Sequence, residues 1–452
     1  MTSKPELMRT ATAAAIRYID GERDSCVAPP PDVELPKELD GDFLDDPWPA
    51  ESVLQLLSDA GDIGATRTTG GRYFGFVTGG IEPVALAAAT LASAWDQNAG
   101  LPIMSPLAAR LDEIATGWIV DLLKLPPESV ASFCAGATVA NLTGIITGRD
   151  ALLERAGWDV RKRGLAGSPS ISVVTGDEVH ASASKALQLA GFGSDQVLRV
   201  ATDECGRIRP DAWPDTTGPT LVVLQAGNVN TGHSDPFEAI LASLDRDRTW
   251  VHVDGAFGLW ARLAPARHHT VAGVDAADSW ATDAHKWLNA PYDCGVVICR
   301  DREALARAMT MSAAYVASTA ERVPMNLGIQ MSQAARAIPV WAILATLGRQ
   351  GLSELVERSC LLAERMADRL AEHGVEILAP VVLNQVLATF VDDATTDAVI
   401  EAVQHDGTCW MGGTVWHGRH AMRISVSDSS TTEHDIDVSA EAVIRAWRLI
   451  TD

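Results

Sequence analysis

Residues 250–257 read Trp-Val-His-Val-Asp-Gly-Ala-Phe, an apolar run that ends in an acid and a glycine. Similar apolar runs recur between about residues 65 and 340, separated by Ala- and Leu-rich segments of helical pattern: Ile171–Val174, Leu221–Leu224 and Val296–Ile298. Continuous apolar strands that alternate with helices predict an α/β domain with a mostly parallel sheet covered on both faces. Ligands bind beyond the carboxyl ends of such strands, so the polar residues after each run are the candidate site residues.

These patterns predict three parts of the chain. In residues 1–64, apolar residues at helical spacing follow Ser3 and lead into a Pro- and Asp-rich connection, which predicts a helical arm. Residues 65–340 hold the strands and helices of the large domain. In residues 341–452 the order helix, strand, helix, strand predicts a small α+β domain: Gly351–His373, Val386–Phe390, Asp397–Gln404 and Ala421–Val426.

Composition and charge limit the classes of protein and partner. With 47% apolar and 21% charged residues, the chain is typical of a globular protein. A net charge of −23 argues against nucleic acid and membrane surfaces as partners, because both are anionic. The sequence has no apolar run of membrane-spanning length and no signal-like N-terminus, and its seven scattered cysteines include no Cys-x-x-Cys pair. We therefore expect a reducing, cytoplasmic location.

Lys286 and Asp254 are the main candidates for chemistry. Lys286 lies in Asp-Ala-His-Lys-Trp-Leu-Asn (Asp283–Asn289), where burial would favour the neutral amine that forms an imine with an aldehyde. A lysine that extends along an apolar surface to solvent is the alternative. Asp254 ends its strand, where a buried carboxylate needs donors or a cation, such as a protonated pyridine nitrogen. A carboxylate that caps the next helix is the alternative there.

Three further segments place polar or small residues after strands. His180 follows Ile171–Val174 and could stack on an aromatic ring or transfer protons, although a hydrogen-bonded structural histidine also explains it. The small residues of Cys134–Asn141 open a helix whose backbone amides could bind a phosphate. Gly227–Gly232 follows Leu221–Leu224 as a polar turn. His268 and His269 lack acidic or cysteine neighbours at ligand spacing, so no metal site is predicted.

With these segments in this order, the sequence resembles pyridoxal-phosphate enzymes of the aspartate-aminotransferase fold, specifically the group II amino-acid decarboxylases. The most specific segments are His-Val-Asp-Gly-Ala-Phe-Gly (His252–Gly258) and Asp283–Asn289, and the similarity extends from Leu7 to about Arg448. The resemblance implies a type I pyridoxal-phosphate fold, pyridoxal 5′-phosphate (PLP) as the cofactor, an amino acid as the substrate and a homodimer as the assembly.

The resemblance also implies roles for individual residues. Lys286 would bind PLP as an imine, and Asp254 would pair with its pyridine nitrogen. His180 and Ala256 would contact opposite faces of the ring, and Asn228 would lie near the ring hydroxyl.

The phosphate and the substrate would be bound by other residues. The phosphate would be held at four positions: Gly136, Ala137, Thr138 and the backbone near His285. Phe76 would line the substrate side. Arg423, in a run that alternates like a strand, could meet a substrate carboxylate or form a structural ion pair.

The chain departs from the family pattern in three places. Well-known members carry a mobile loop whose tyrosine protonates Cα after carbon dioxide leaves. The matching stretch here, Val316–Gln330, looks shorter and has no tyrosine, and Tyr315 stands at its start. The arginine-rich segment after that loop keeps only Arg336, and Asp283 stands where many relatives carry asparagine.

These departures leave three hypotheses for function. The main prediction is a PLP-dependent decarboxylase of an L-amino acid or a derived intermediate. The second is another outcome on the same scaffold: decarboxylation-coupled oxidative deamination to an aldehyde, β-elimination or transamination. The third is a cofactor-binding protein without turnover, against which the intact set of His180, Asp254 and Lys286 argues.

Overall fold

The computed structural model describes residues 2–21, 25–30, 32–40, 43, 46–311 and 322–451. Its α-helices are α1 (Lys4–Asp20), α2 (Ala50–Gly64), α3 (Pro83–Trp95), α4 (Pro106–Leu122), α5 (Ala137–Arg155), α6 (Val160–Arg163), α7 (Ala181–Leu189), α8 (Phe237–Ser243), α9 (Arg302–Met309), α10 (Ala337–Ala371), α11 (Asp393–Asp406) and α12 (Glu433–Thr451). Its strands are β1 (Val130–Cys134), β2 (Ser172–Gly176), β3 (Val197–Val200), β4 (Thr220–Gln225), β5 (Thr249–Asp254), β6 (Ser279–Asp283), β7 (Gly295–Cys299), β8 (Glu376–Ile377), β9 (Gln385–Thr389), β10 (Gly412–Trp416) and β11 (Arg419–Ser425).

The chain forms two compact units. The terminal unit comprises Met1–Gly80, Arg365–Leu378 and Leu387–Asp452, and the central unit comprises Ile81–Glu364 and Ala379–Val386. The division into parts at 1–64, 65–340 and 341–452 stays a prediction.

A seven-stranded sheet in the order β1-β7-β6-β5-β4-β2-β3 organises the central unit. Its neighbours from β6 to β3 pair in parallel, whereas β7 runs antiparallel to β1 and β6. Strands β4 to β7 are buried at every residue, as expected for a sheet covered on both faces. The predicted mostly parallel sheet is therefore confirmed, and the four apolar runs correspond to β2, β4, β5 and β7.

Helix α5 packs against strands β4 to β7 of this sheet. Its Ile145 and Leu152 join Val173 of β2 and Trp250 of β5 in one buried apolar cluster. The glycine at position 148 lets helix and strand approach closely, because an alanine Cβ there would lie 2.4 Å from Cδ1 of Trp250. The helix is thus held close to the strand that ends at Asp254.

A second, four-stranded sheet has the order β10-β11-β9-β8, and its β10–β11 and β8–β9 pairs are antiparallel. Helix α11 packs on β11 and against α12. The predicted α+β character of the C-terminal part is therefore confirmed, and the structure adds β8, β10 and α12 to the predicted elements. At the other end of the sequence, Ser3 and Glu6 form a capping box that starts α1.

All seven cysteines are free thiols. Within the described ranges, we find no helix with the length and apolar character needed to cross a membrane.

Candidate active site

The candidate site of the central unit lies where β5 and β6 end side by side. These parallel neighbours end at Asp254 and Asp283, and Lys286 follows three residues after β6. Helix α5 begins directly after β1 and Gly136. The topology therefore gathers an acid, an amine and a helix N-terminus at one edge of the sheet.

The amine of Lys286 lies against a buried acid. Its Nζ is 3.3 Å from Oδ2 of Asp283, and the lysine side chain is 18% exposed while that of Asp283 is 3% exposed. The other oxygen, Oδ1 of Asp283, is buried and has no hydrogen-bond partner among the described residues. This position does not fit a lysine that extends to solvent, and it leaves an acceptor available for a ligand.

The carboxylate of Asp254 is buried and receives hydrogen bonds from uncharged donors. Its Oδ2 accepts from Nδ2 of Asn141 at 2.9 Å and lies 3.5 Å from Oγ of Ser182, and its Oδ1 accepts from the N–H of Ala256 at 3.2 Å. Asp254 is only 3% exposed. These donors are all neutral, so a cationic ligand atom could serve as the partner of this buried carboxylate.

His180 connects to this carboxylate through one serine. The residue caps the N-terminus of α7, where its Nδ1 accepts the N–H of Ser182 at 3.2 Å. The same Nδ1 lies 2.7 Å from Oγ of Ser182, which in turn lies 3.5 Å from Asp254. The ring is thereby fixed in orientation beside Asp254, so it has a structural role whether or not it also contacts a cofactor.

Gly136 precedes the N-terminus of α5 in a backbone conformation that favours glycine. Its φ of +89° suits glycine, and an alanine Cβ there would lie 3.4 Å from Cε1 of His285. A Cβ at Gly295 would lie 2.4 Å from the carbonyl carbon of Gly136, so the backbones touch. Ala137 and Thr138 follow as the first residues of the helix, where free amides favour an anion.

His285 borders this N-terminus and is held on two sides. Its Nδ1 lies 2.9 Å from the carbonyl oxygen and 3.1 Å from the backbone nitrogen of Cys294, and its ring lies 4.3 Å from the ring of Tyr292. Burial lowers the pKa of His285, and the nearby carboxylate of Asp283 partly offsets this effect. The imidazole is therefore favoured in its neutral form.

Three predicted site residues make none of the contacts described above around Asp254, Asp283 and Lys286. Asn228 closes its turn, since its Oδ1 accepts the backbone N–H groups of Asn230 and Thr231 at 2.8 and 3.2 Å. Phe76 and Arg423 belong to the terminal unit, where the guanidinium carbon of Arg423 lies 5.9 Å from the Phe76 ring centroid. Burial lowers the pKa of Arg423. Their roles, like those of the other predicted residues, stay predictions.

The altered loop lies partly outside the described residues. Tyr315 and residues 316–321 of Val316–Gln330 fall in the range that is not described. Arg336, the arginine kept from the family signature, forms an ion pair with Asp293 at 2.9 Å.

Residue-by-residue reading of the sequence gave no role to three side chains around Asp254: Asn141, Ser182 and His252. His252 lies two residues before Asp254 on the same strand, so it shares a face with it. The spacing of two residues along a predicted strand is therefore a sequence signal that His252 lies near Asp254. Asn141 contacts Asp254 from 113 residues away, which only the packing of α5 on β5 reveals.

The geometry of the polar groups in this site fits PLP. Asp283 leaves a buried oxygen without a partner, Asp254 accepts from neutral donors, and a lysine amine lies next to the first of them. The start of α5 presents backbone amides after a glycine whose φ of +89° disfavours any side chain. A phosphorylated aldehyde with a basic ring nitrogen would meet the Lys286 amine, the Asp254 carboxylate and these amides.

A family model described as the pyridoxal-dependent decarboxylase conserved domain matches residues 37–389. This protein belongs to that family. The predicted family, the PLP cofactor and the PLP-dependent decarboxylase activity are thereby confirmed.

Similar proteins share the whole fold and differ in their named reactions. Aromatic-L-amino-acid decarboxylase of Bacillus atrophaeus is 26% identical over 390 residues, which are 81% of this chain and 79% of the relative. Phenylacetaldehyde synthase of Arabidopsis thaliana is 22% identical over 380 residues, which are 77% and 75% of the two chains. The crystal structure of Oryza sativa TDC with PLP and tryptamine is 22% identical, with a TM-score of 0.90 over 99% of this chain and 98% of that one. The predicted type I fold is confirmed.

Proposed function

We propose that this protein decarboxylates L-amino acids with aromatic side chains, with Lys286 and Asp254 as the residues that hold PLP. The observation that carries the proposal is the buried pairing of Lys286 with Asp283, one strand away from the buried carboxylate of Asp254. Aromatic substrates are the first candidates because the Bacillus atrophaeus relative is named for them. In the terminal unit, Phe76 also lies 5.4 Å from the ring of Trp410, beside Arg423.

Each residue of the site has a defined task in this proposal. Lys286 binds the cofactor aldehyde covalently, and Asp254 holds a proton on the ring nitrogen. His180, fixed by Ser182, covers one face of the ring, and the amides of Gly136, Ala137 and Thr138 bind the phosphate. When bound, PLP supplies the sink for the electrons that are left when a bond to Cα breaks. The protein then determines which bond breaks by orienting the substrate.

A second candidate reaction is decarboxylation coupled to oxidation by dissolved dioxygen. The amino acid, dioxygen and water would then yield an aldehyde, carbon dioxide, ammonia and hydrogen peroxide. The specific observation is that Val316–Gln330 contains no tyrosine to protonate Cα. The named reaction of the Arabidopsis thaliana relative is also an aldehyde synthesis.

A product assay on the reconstituted enzyme separates these reactions. Aromatic and acidic L-amino acids are incubated with the holoenzyme, and carbon dioxide, amine, aldehyde, hydrogen peroxide, ammonia and keto acid are measured. Carbon dioxide with an equal amount of amine supports the proposal. Peroxide, ammonia and aldehyde in equal amounts support the second candidate. Keto acid with ammonia indicates β-elimination, and keto acid without ammonia indicates transamination. No product at all supports a binding protein without turnover.

Two variants test whether the proposed residues bind the cofactor. Lys286→Ala should abolish the covalent bond, measured as loss of the mass increment after borohydride reduction of the PLP-treated protein. Asp275→Asn, a partly exposed acid paired with Arg262, is the matched control and should retain the increment. If Lys286→Ala retained turnover, the proposed site would be wrong.

We also propose that two copies of the chain associate in the reducing cytoplasm. Helix α3 consists almost entirely of apolar residues, yet only Ala85 is buried within this chain. Leu91 and Trp95 on this helix are 53% and 43% exposed. An apolar helix left uncovered favours a protein partner, and a second copy supplies the same apolar surface. Seven free thiols suit a reducing compartment.

A further inference from the structure

Four buried polar side chains form a line of hydrogen bonds that ends at Asp254. Nε1 of Trp250 lies 3.0 Å from Oγ of Ser279, which lies 2.8 Å from Nδ1 of His252. Nε2 of His252 lies 2.9 Å from Oδ1 of Asn141, whose Nδ2 lies 2.9 Å from Oδ2 of Asp254. Trp250 is 1% exposed and the other three are fully buried. Buried polar groups without partners are costly, so these bonds hold each other in place.

The direction of these hydrogen bonds is fixed from both ends. An ionised Asp254 can only accept, so Asn141 presents its NH₂ group to the carboxylate and its oxygen to His252. His252 must then carry its proton on Nε2, which leaves Nδ1 as an acceptor for the hydroxyl of Ser279. At the far end the indole of Trp250 can only donate, and it donates to Oγ of Ser279. Every bond therefore donates toward Asp254.

Burial keeps His252 in the neutral form that this direction requires. It lowers the pKa of His252 to about 4, while the charge of Asp254 partly opposes that effect. A protonated His252 would donate from both nitrogens, so its bond with Ser279 would reverse and the Ser279 O–H would lose this acceptor. The neutral tautomer is thus the one present near neutral pH.

Glycines on α5 make room for this line. An alanine Cβ at Gly144 would lie 2.5 Å from Nδ1 of His252, and one at Gly148 would lie 2.4 Å from the Trp250 ring. Asn141, Gly144 and Gly148 recur at helical spacing, so they share the face of α5 that meets β5. The helix and the strand are shaped to bring these side chains together.

We propose that Trp250, Ser279, His252 and Asn141 act as positioning residues that orient the Asp254 carboxylate toward the ring nitrogen of PLP. The inference rests on the proposed function, because it assigns Asp254 to that nitrogen. The four residues act through Asp254 and need not touch the cofactor or the substrate.

The experiment compares graded variants of this line. Asn141→Ala removes the bonds to Asp254 and His252, and His252→Phe removes the bonds to Asn141 and Ser279. His252→Gln restores a donor to Asn141. Trp250→Phe removes only the most distant donor. Thr147→Val is the matched control, because Thr147 is fully buried on the same helix and donates only to the carbonyl of Thr143 among the described contacts.

Three readouts are measured for each variant. The dissociation constant of PLP is obtained by titrating the apoprotein, and the protonation of the ring nitrogen is followed by NMR with ¹⁵N-labelled PLP. The unfolding temperature of the apoprotein reports any loss of fold. We expect Asn141→Ala and His252→Phe to weaken PLP binding by about tenfold and to lower the protonated share of the nitrogen. His252→Gln should recover most of both losses, Trp250→Phe should change them least, and Thr147→Val should match the wild type.

The outcomes separate this inference from the proposed function. If Asn141→Ala and His252→Phe lowered only the unfolding temperature and left the ¹⁵N signal unchanged, the line would be merely structural and the inference would be wrong. Asp254→Ala tests the assignment of Asp254 to the ring nitrogen of PLP. An unchanged ¹⁵N signal in this variant would overturn the role of Asp254 in the proposed function. A change with Asp254→Ala, but not with the other variants, would overturn the inference alone.

Discussion

The carboxylate of Asp283 lies beside the N-terminus of α5, where we propose that the phosphate of PLP binds. It lies 3.3 Å from the Lys286 amine, and its Oδ1 would lie 3.8 Å from a Cβ at Gly136. A carboxylate in this place repels an anion at the start of α5, so it opposes the binding of a phosphate.

Asp283→Asn should therefore tighten PLP binding. Removing the charge of Asp283 should lower the dissociation constant of PLP by about tenfold. Two charges about 5 Å apart interact by roughly 3 kcal/mol at an effective dielectric constant of about 20, and screening by solvent reduces the repulsion between carboxylate and phosphate below that value. The constant is measured by titrating the apoprotein with PLP, with Asp275→Asn as the control for charge elsewhere. Weaker binding by Asp283→Asn would instead mean that the carboxylate holds a proton or a donor of the cofactor.

His252 makes a pH-dependent contribution to stability. Its pKa falls from 6.5 to about 4 on folding because it is buried. A lowered pKa means that the unfolded chain binds the proton first, so the contribution is complete above pH 6.5 and is lost as pH falls toward 4. At 1.36 kcal/mol per pKa unit, the loss amounts to about 3 kcal/mol.

The measurement is the unfolding free energy of the apoprotein from pH 7 to 4 for wild type and His252→Gln. The difference between the two proteins should change by about 3 kcal/mol across this interval. Burial raises the pKa of Asp235 to about 6, an effect of opposite sign, but it is present in both proteins and cancels. A constant difference would show that His252 does not titrate in this way.

At the scale of elements, the contact of α5 with β5 depends on glycines. Alanine in a helix is normally more stable than glycine by about 1 kcal/mol. At position 148 this preference should reverse, because the new Cβ would lie 2.4 Å from the Trp250 ring. We predict that Gly148→Ala destabilises the protein by about 1–3 kcal/mol through overpacking.

The matched control is Gly117→Ala on α4, where a Cβ would meet no atom within 4 Å. That variant should be more stable than wild type, by up to about 1 kcal/mol. Unfolding of both variants is followed by circular dichroism. A stabilised Gly148→Ala would mean that helix and strand can separate to admit a methyl group.

The same contact shows what the sequence can and cannot reveal. Strand β5 is predictable from the sequence because it is buried at every residue and is therefore mostly apolar, and Asp254 is the polar residue at its end. The role of Asn141 was not evident, since its partner His252 lies 111 residues away and hydrogen bonding alone joins them. Small residues at the start of α5 indicated an anion site, but nothing local indicated that an amide four residues on would turn toward a carboxylate.

At the scale of the whole molecule, charge and apolar surface oppose each other. Each copy carries a net charge of −23, which repels a second copy at low ionic strength. The exposed apolar side chains of α3 favour association through burial, which depends much less on salt. Association of two copies should therefore strengthen as salt screens the repulsion.

Leu91→Glu tests this balance, because it places a charge in the middle of the apolar face of α3. Leu91 is 53% exposed in the single chain, so the substitution should leave the fold intact while it weakens association by at least tenfold. Light scattering of the protein as it elutes from a size-exclusion column at micromolar concentration should give a molar mass of about twice 48.1 kDa for wild type and of 48.1 kDa for the variant. Leu189→Glu on α7, 61% exposed, is the control and should stay a dimer. If Leu91→Glu remained a dimer and Leu189→Glu did not, the association surface would lie on α7.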